Sequence, residues 1–279
     1  MVEIYLLEQL TAVKRCGTLS AASKELHLTQ PTLSRSMKKL EEQFGVELFM
    51  HEKNRISLND NGEMAAGYAQ RILENEVDMV SRVRIFDRNK RTISIGFIAP
   101  GPAMELVPVI TGIYQNMPLV SEIRPERELM QGLKDSFYEI VILNHASEDK
   151  GLISVKCGSE QLFLSVPPEH PFAYYKEVHF AEMNGESFLM ASEVGFWSDI
   201  VRNHMPASHF LLQNGTEELS EVVRTSSLPS FVTDISKKYM HENENRIFVP
   251  FLDQEAKAEY YLIIKKENRK KYQKIVKLF

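Results

Sequence analysis

Apolar residues recur at two different spacings along this chain, and the change of spacing divides it. Leu6, Leu7, Leu10 and Val13 stand at helical intervals, and Gly17 is placed to end that helix. Ser20 offers an N-cap for the short helix AASKEL, which closes in a turn at His27, Leu28 and Thr29. In the next stretch, HLTQPTLSRSMKKLE, residues Leu33, Met37, Leu40 and then Phe44 form an apolar stripe. Thr29 or Gln30 caps this third helix, Pro31 sits in its first turn where a missing N–H costs nothing, and Gly45 closes it. Two helices joined by about three residues, the second amphipathic, predict a helix-turn-helix. Val46, Leu48 and Phe49, a polar turn at Lys53, Asn54 and Arg55, and then Ile56 and Leu58 predict a two-stranded wing.

Residues 60–87 contain no proline and no internal turn. Ala65, Ala69, Ile72, Glu76, Met79, Val83 and Phe86 alternate four- and three-residue steps, a heptad seam flawed at Glu76. Such a seam predicts a long packing or dimerisation helix. At RNKRTISIGF the period drops to two. Strands are expected near 92–98, 119–124, 138–143, 152–157, 160–166, 187–190, 208–213, 246–249 and 258–265. Helices are expected near 103–116, 126–135, 196–204, 216–225, 234–241 and 267–278. This alternation predicts an α/β region.

The 279 residues suffice for two or three domains with real cores. Net charge is −5, so the molecule as a whole carries no polyanion-binding signature. Residues 1–58 hold eight Lys and Arg against seven Asp and Glu, so a basic surface there would be a local patch. Cys16 and Cys157 form no metal-binding pattern and read as two reduced thiols. The first residues lack the character of a signal peptide, and no apolar run approaches the ~20 residues of a membrane span. A cytoplasmic protein without membrane contact is expected.

Catalytic motifs are absent: no GxGxxG, Walker A loop, GxSxG or HExxH occurs. No cofactor or metal is expected, because the eight His never fall at ligand spacing with a Cys or carboxylate pair. His170 in PPEHPFA reads as a turn residue, the Asn214 sequon as a turn, and the basic tail KKENRKKYQKIVK as a solvated helix face. The helix-turn-helix is different because its parts need one another. A recognition helix enters the major groove N-terminus first, so its first-turn side chains reach base edges. Gln pairs bidentately with adenine, Arg with guanine, and Thr or Ser with bases or phosphates. Thr29, Gln30, Pro31, Thr32, Ser34 and Arg35 therefore form the expected DNA-reading tip, with Lys38 and Arg55 placed for phosphates.

On these residues the chain resembles the LysR-type transcriptional regulators. The family pattern S-x-x-A-A, Q-P-x-L-S-R and K-x-L-E-x-x-x-G-x-x-L-F is met by Ser20, Ala21 and Ala22, by residues 30–35, and by Lys39, Leu40, Glu41, Gly45, Leu48 and Phe49. SIGF, YEIVIL and VPPEHPFA extend the likeness in outline. The chain departs from the family at His51, where Arg is usual, and at residues 58–62, where L-T-x-A-G is usual. It also departs in RTSSLPSFVTD, which lacks the glycines of V-x-x-G-x-G-I-x-x-x-P.

The resemblance implies a winged helix-turn-helix over residues 1–59, a linker and dimerisation helix over 60–88, and an effector domain over 89–279. That domain would be periplasmic-binding-protein-like, with two α/β lobes crossed twice by the chain. Lobe I is expected at about 89–160 and 266–279, lobe II at about 161–265. A small effector, an organic acid or aromatic metabolite, would bind between them. By position its contacts would be Ala99, Pro100, Gly101, Pro125, Glu126, Ser192, Phe196 and Thr233. The resemblance thus implies a regulator that binds double-stranded DNA, pairs as a homodimer through the linker helix and assembles into a tetramer. A small-molecule sensor with a weakened DNA-binding head is the alternative. An α/β enzyme finds no support in the motifs.

Overall fold

Gly17 and Gly45 stop two helices by turning left-handed, with φ of 73° and 72°. The helices are α1 (Ile4–Cys16), α2 (Leu19–Glu25) and α3 (Gln30–Phe44). The computed structural model describes residues 1–52, 55–239 and 245–279, without the side chains of 51, 52, 55, 216 and 217. It comprises two units, Met1–Arg84 and Ile85–Phe279.

In the first unit α2 starts two residues earlier than the sequence suggests. Thr18, not Ser20, caps it, its hydroxyl accepting the Ala21 N–H at 3.2 Å. Leu6, Leu10, Leu33 and Leu40 are fully buried, with Met37 beside them, and form the core that the three helices share. The wing is the antiparallel pair β1 (Phe49–Glu52) and β2 (Arg55–Leu58). Glu41 ties the wing to α3: its Oε1 accepts the N–H groups of Leu48 at 2.7 Å and Phe49 at 3.2 Å. The long helix α4 (Asp60–Asn89) is capped by Asn59, whose Oδ1 accepts the Gly62 N–H at 2.9 Å while its Nδ2 donates to the Glu47 carbonyl. The departure from the family pattern at residues 58–62 thus builds a cap rather than losing one. Gly62 is required there, since a Cβ would lie 2.1 Å from the Leu48 carbonyl oxygen.

The second unit alternates strands and helices: β3 (Ile93–Phe97), α5 (Pro100–Ile113), β4 (Leu119–Ile123), α6 (Glu126–Lys134) and β5 (Ile140–Leu143) open it. A single strand of 15 residues, β6 (Leu152–Val166), replaces the two expected at 152–157 and 160–166. The chain continues through α7 (Phe180–Met183), β7 (Ser187–Ala191), α8 (Trp197–His204), β8 (His209–Gln213), α9 (Thr216–Thr225), β9 (Ser230–Thr233) and β10 (Ile247–Pro250). It ends in β11 (Lys257–Lys265) and α10 (Gln273–Val276).

Two lobes follow from the pairing order β4-β3-β5-β11-β6-β9-β7-β8, with β10 also on β6. Residues 152–161 of β6 pair with β11, whereas 162–166 pair with β9 and β10, so one strand serves both lobes. The return crossing comes earlier than expected. The expected boundary at 265/266 put β11 in lobe II, but it lies between β5 and β6 in the first sheet from Lys257 onward. Leu262, Ile263 and Ile264 are buried on both faces, the mark of a central strand rather than a closing edge. A register shift between Tyr260 and Tyr261 marks a bulge close to the crossover.

Two expected helices are shorter than anticipated. Residues 234–241 hold a 3-10 turn at Ser236–Tyr239, with 240–241 outside the described residues. The stretch 267–278 breaks into a 3-10 turn at Lys266–Arg269 and the single turn of α10.

Candidate DNA-binding face and effector cleft

Helix α3 sorts its residues by side. Leu33, Met37 and Leu40 are buried, while Thr29, Gln30, Pro31, Thr32, Ser34, Arg35 and Lys38 are all exposed. Thr29 is the N-cap, accepting the Thr32 N–H at 3.3 Å, and the two hydroxyls lie 2.8 Å apart. The first turn is therefore held in shape from outside the core. Gln30, Arg35 and Lys38 make no side-chain hydrogen bond or ion pair among the described residues, so their donors are free for an external partner. Lys39, one position further, faces elsewhere: it bridges to Glu3 at 2.7 Å. That bond and one from Gln43 draw the Glu3 carboxyl down to about 2. The side chain of Arg55 lies outside those described.

The eight positions expected to line an effector cleft do not converge on one space. Ala99, the residue before α5, is fully buried, and Gly101 is buried in the first turn of that helix. A Cβ on Gly101 would fall 2.1 Å from an oxygen of Glu160. Thr233 is buried, and Phe196 packs on Trp197 with ring centroids 4.5 Å apart. The Phe196 N–H reaches the Ile98 carbonyl at 3.3 Å. Gly101 and Thr233 lie against Glu160, and with Ala99 they are closed over by the chain itself, while Phe196 is half-buried. Pro125, Glu126 and Ser192 are exposed outside this ring, and Pro100 is half-buried at the start of α5. Glu126 is held by His145, whose Nε2 lies 3.0 Å from its Oε1.

Sequence reasoning missed the ring's centre. Glu160 is 3% exposed, and its carboxyl accepts the Trp197 indole N–H at 3.2 Å and the Tyr260 hydroxyl. Burial pushes its pKa up, against the opposing pull of hydrogen bonds from Thr233, Tyr260 and Trp197. Burial likewise pushes the Tyr260 hydroxyl far up, with the neighbouring Glu160 charge adding to it. A signal was available: Glu160 shares the parity of Leu162 and Leu164, so an alternating strand turns it inward.

An open cleft of about 360 Å³ lies beside the ring. Asn144, His145 and Ala146 after β5 form one wall, Phe196 and Ile200 another, and Lys257, Glu259 and Tyr261 of β11 a third. Of the expected effector contacts only Phe196 lines it. Glu259 is already engaged by Lys156 and the Tyr261 hydroxyl. The hydrogen bond to the Ala146 carbonyl raises the pKa of His145, with burial opposing and Glu126 adding to the rise.

Comparison with known proteins agrees with this division. A family model described as the bacterial regulatory helix-turn-helix protein, lysR family, matches residues 4–63. One described as the LysR substrate binding domain matches residues 87–273. Over 189 residues the chain is 28% identical to the HTH-type transcriptional regulator YybE of Bacillus subtilis, covering 66% of this chain and 64% of that protein. Over 199 residues it is 26% identical to the Hca operon transcriptional activator HcaR of Escherichia coli, covering 69% of this chain and 66% of that protein. Its fold is similar to that of full-length OxyR C199D from Pseudomonas aeruginosa, with a TM-score of 0.55, 18% identity, and coverage of 99% of this chain and 93% of that one. Full-length BenM gives a TM-score of 0.50 at 22% identity, over 95% of this chain and 91% of that one.

Proposed function

The chain belongs to the LysR family of bacterial helix-turn-helix regulators, and from that premise we propose that it is a sequence-specific regulator of transcription whose second unit senses a small molecule. The observation that carries the reading is the display of Gln30, Ser34 and Arg35, with no side-chain hydrogen bond or ion pair among the described residues, on a helix whose opposite side is buried. A side chain with no role inside the fold is available to a base edge. Lys38 supplies a phosphate contact, and Arg55 of the wing would supply another.

Two copies pair through α4. Its Tyr68, Ile72, Val77, Met79, Val83 and Phe86 are between 45% and 66% exposed, a run of apolar surface that water disfavours. Paired heads read half-sites one helical turn apart or a multiple of it, and a tetramer of two such dimers follows the same symmetry. On this reading the protein acts on DNA in the cytoplasm and catalyses no reaction; among the described residues no helix is long and apolar enough to cross a membrane.

Selection of bound sites from random DNA tests the reading and should return a palindrome with that spacing. Affinity for the selected site should fall steeply with salt, by about 0.9 in log–log slope for each phosphate neutralised. A shallow slope would instead favour a sensor with a weakened head, the reading to which the near-neutral charge of residues 1–58 points.

A further inference from the structure

Glu160 stands on β6 just before that strand passes from one lobe to the other, and donors from both lobes meet at its carboxyl. From the second lobe, Trp197 at the start of α8 donates its indole N–H at 3.2 Å, and Thr233 at the end of β9 sits beside the carboxyl with its hydroxyl turned to Ser236. From the first lobe, Tyr260 of β11 donates its hydroxyl, and Gly101 in the first turn of α5 presses its backbone against the same oxygens. Close contacts surround this junction. Gly195, at φ 64°, has no room for a Cβ, which would lie 1.9 Å from the Ile98 carbonyl oxygen. Lys238 of the second lobe pairs with Glu105 of α5, and the Tyr239 hydroxyl reaches the Met104 carbonyl at 3.2 Å.

We infer that Glu160 is a positioning residue: its carboxyl latches the two lobes together over Ala99, Gly101 and Thr233, and these residues become accessible only when it lets go. The inference concerns how the lobes are held and stands whether or not the second unit takes a small effector. The groups facing Glu160 are Tyr260 on β11, Trp197 on α8, Gly101 on α5, and Thr233 with Asp234 after β9. Asp234 is an acidic neighbour that adds to the rise of the Glu160 pKa, and on α5 and the Ser236–Tyr239 turn Glu105 and Lys238 pair with each other. No Lys or Arg contacts the carboxyl among the described residues. Burial holds its proton more tightly in the latched arrangement than water would in an opened one. The latch is therefore firmest below the ordinary carboxyl pKa and weakens as pH rises through the raised value.

Trp197 is the single tryptophan of the chain and is 4% exposed, so its emission reports on the latch directly. The experiment compares full-length wild type, Glu160→Ala, Glu160→Gln and Tyr260→Phe by tryptophan emission and acrylamide quenching across pH, with circular dichroism as the check on folding. Wild type should show shielded emission that steps toward the red as pH rises. Glu160→Ala should be red-shifted and quenched severalfold more strongly at every pH. Glu160→Gln keeps the shape and an acceptor but cannot ionise, so its emission should stay shielded and flat. Tyr260→Phe removes a bond that lowers the Glu160 pKa, so its step should move to higher pH. Should Glu160→Ala fail to fold, the Tyr260→Phe and Glu160→Gln profiles still decide. Equal shielding of Trp197 in wild type, Glu160→Ala and Tyr260→Phe overturns the inference, as does a pH step that survives in Glu160→Gln.

Discussion

The two places where this chain was expected to meet other molecules are built in opposite ways. At the start of α3 the polar side chains point outward, and apart from the Thr29 cap and its Thr32 partner they are not engaged inside the fold. At the junction of the two lobes three expected contact residues, Ala99, Gly101 and Thr233, are folded inward, and the Trp197 and Tyr260 donors there are spent on Glu160. The first surface is complete once the core behind it is packed. The second becomes a surface only after internal bonds are exchanged, so binding there has to compete with the protein's own contacts.

The contrast can be broken most forcefully at Gly195. Alanine there would need left-handed backbone and would drive its Cβ into the Ile98 carbonyl, a loss of about 3 kcal/mol or more. Chemical denaturation followed by Trp197 emission should record that loss, while DNA affinity at low denaturant stays near wild type. An unchanged midpoint would mean that the lobes do not close at this loop. A smaller effect is expected at Arg35. Its alanine variant should cost about 1–3 kcal/mol on a selected site and little on random DNA, read by competition binding. Equal losses on both would make it a phosphate contact and weaken the idea of a base-reading tip. The smallest effect belongs to Thr29→Ala, which removes the cap and should lower the stability of the first unit by about 1 kcal/mol in a thermal melt.

Legibility in the sequence followed the same contrast. Helix α3 was readable because its cap, its proline and its apolar stripe are neighbours in sequence, and the structure keeps them where their spacing put them. Most strands of the second unit were readable from alternation, but β9 was not, because four residues between Pro229 and Asp234 carry too little pattern. The crossing at Lys257 was hidden for a different reason. Which neighbour a buried strand pairs with depends on distant residues such as Ile140 and Ile153, and periodicity is silent on partners. The ring around Glu160 draws on α5, β6, α8, β9 and β11, so no short stretch contains it. Reading candidates from the loops after strands found Gly101 and Thr233 but not the carboxyl between them.

The 15-residue strand β6 has a consequence for how this unit lives and fails. Because the same ribbon closes the first sheet beside β11 and lies between β9 and β10 in the second, removing either lobe would strip the other of a paired strand and leave raw hydrogen-bonding edges. Neither half can then be expressed, exchanged or lost alone, and heat should take both in one cooperative event.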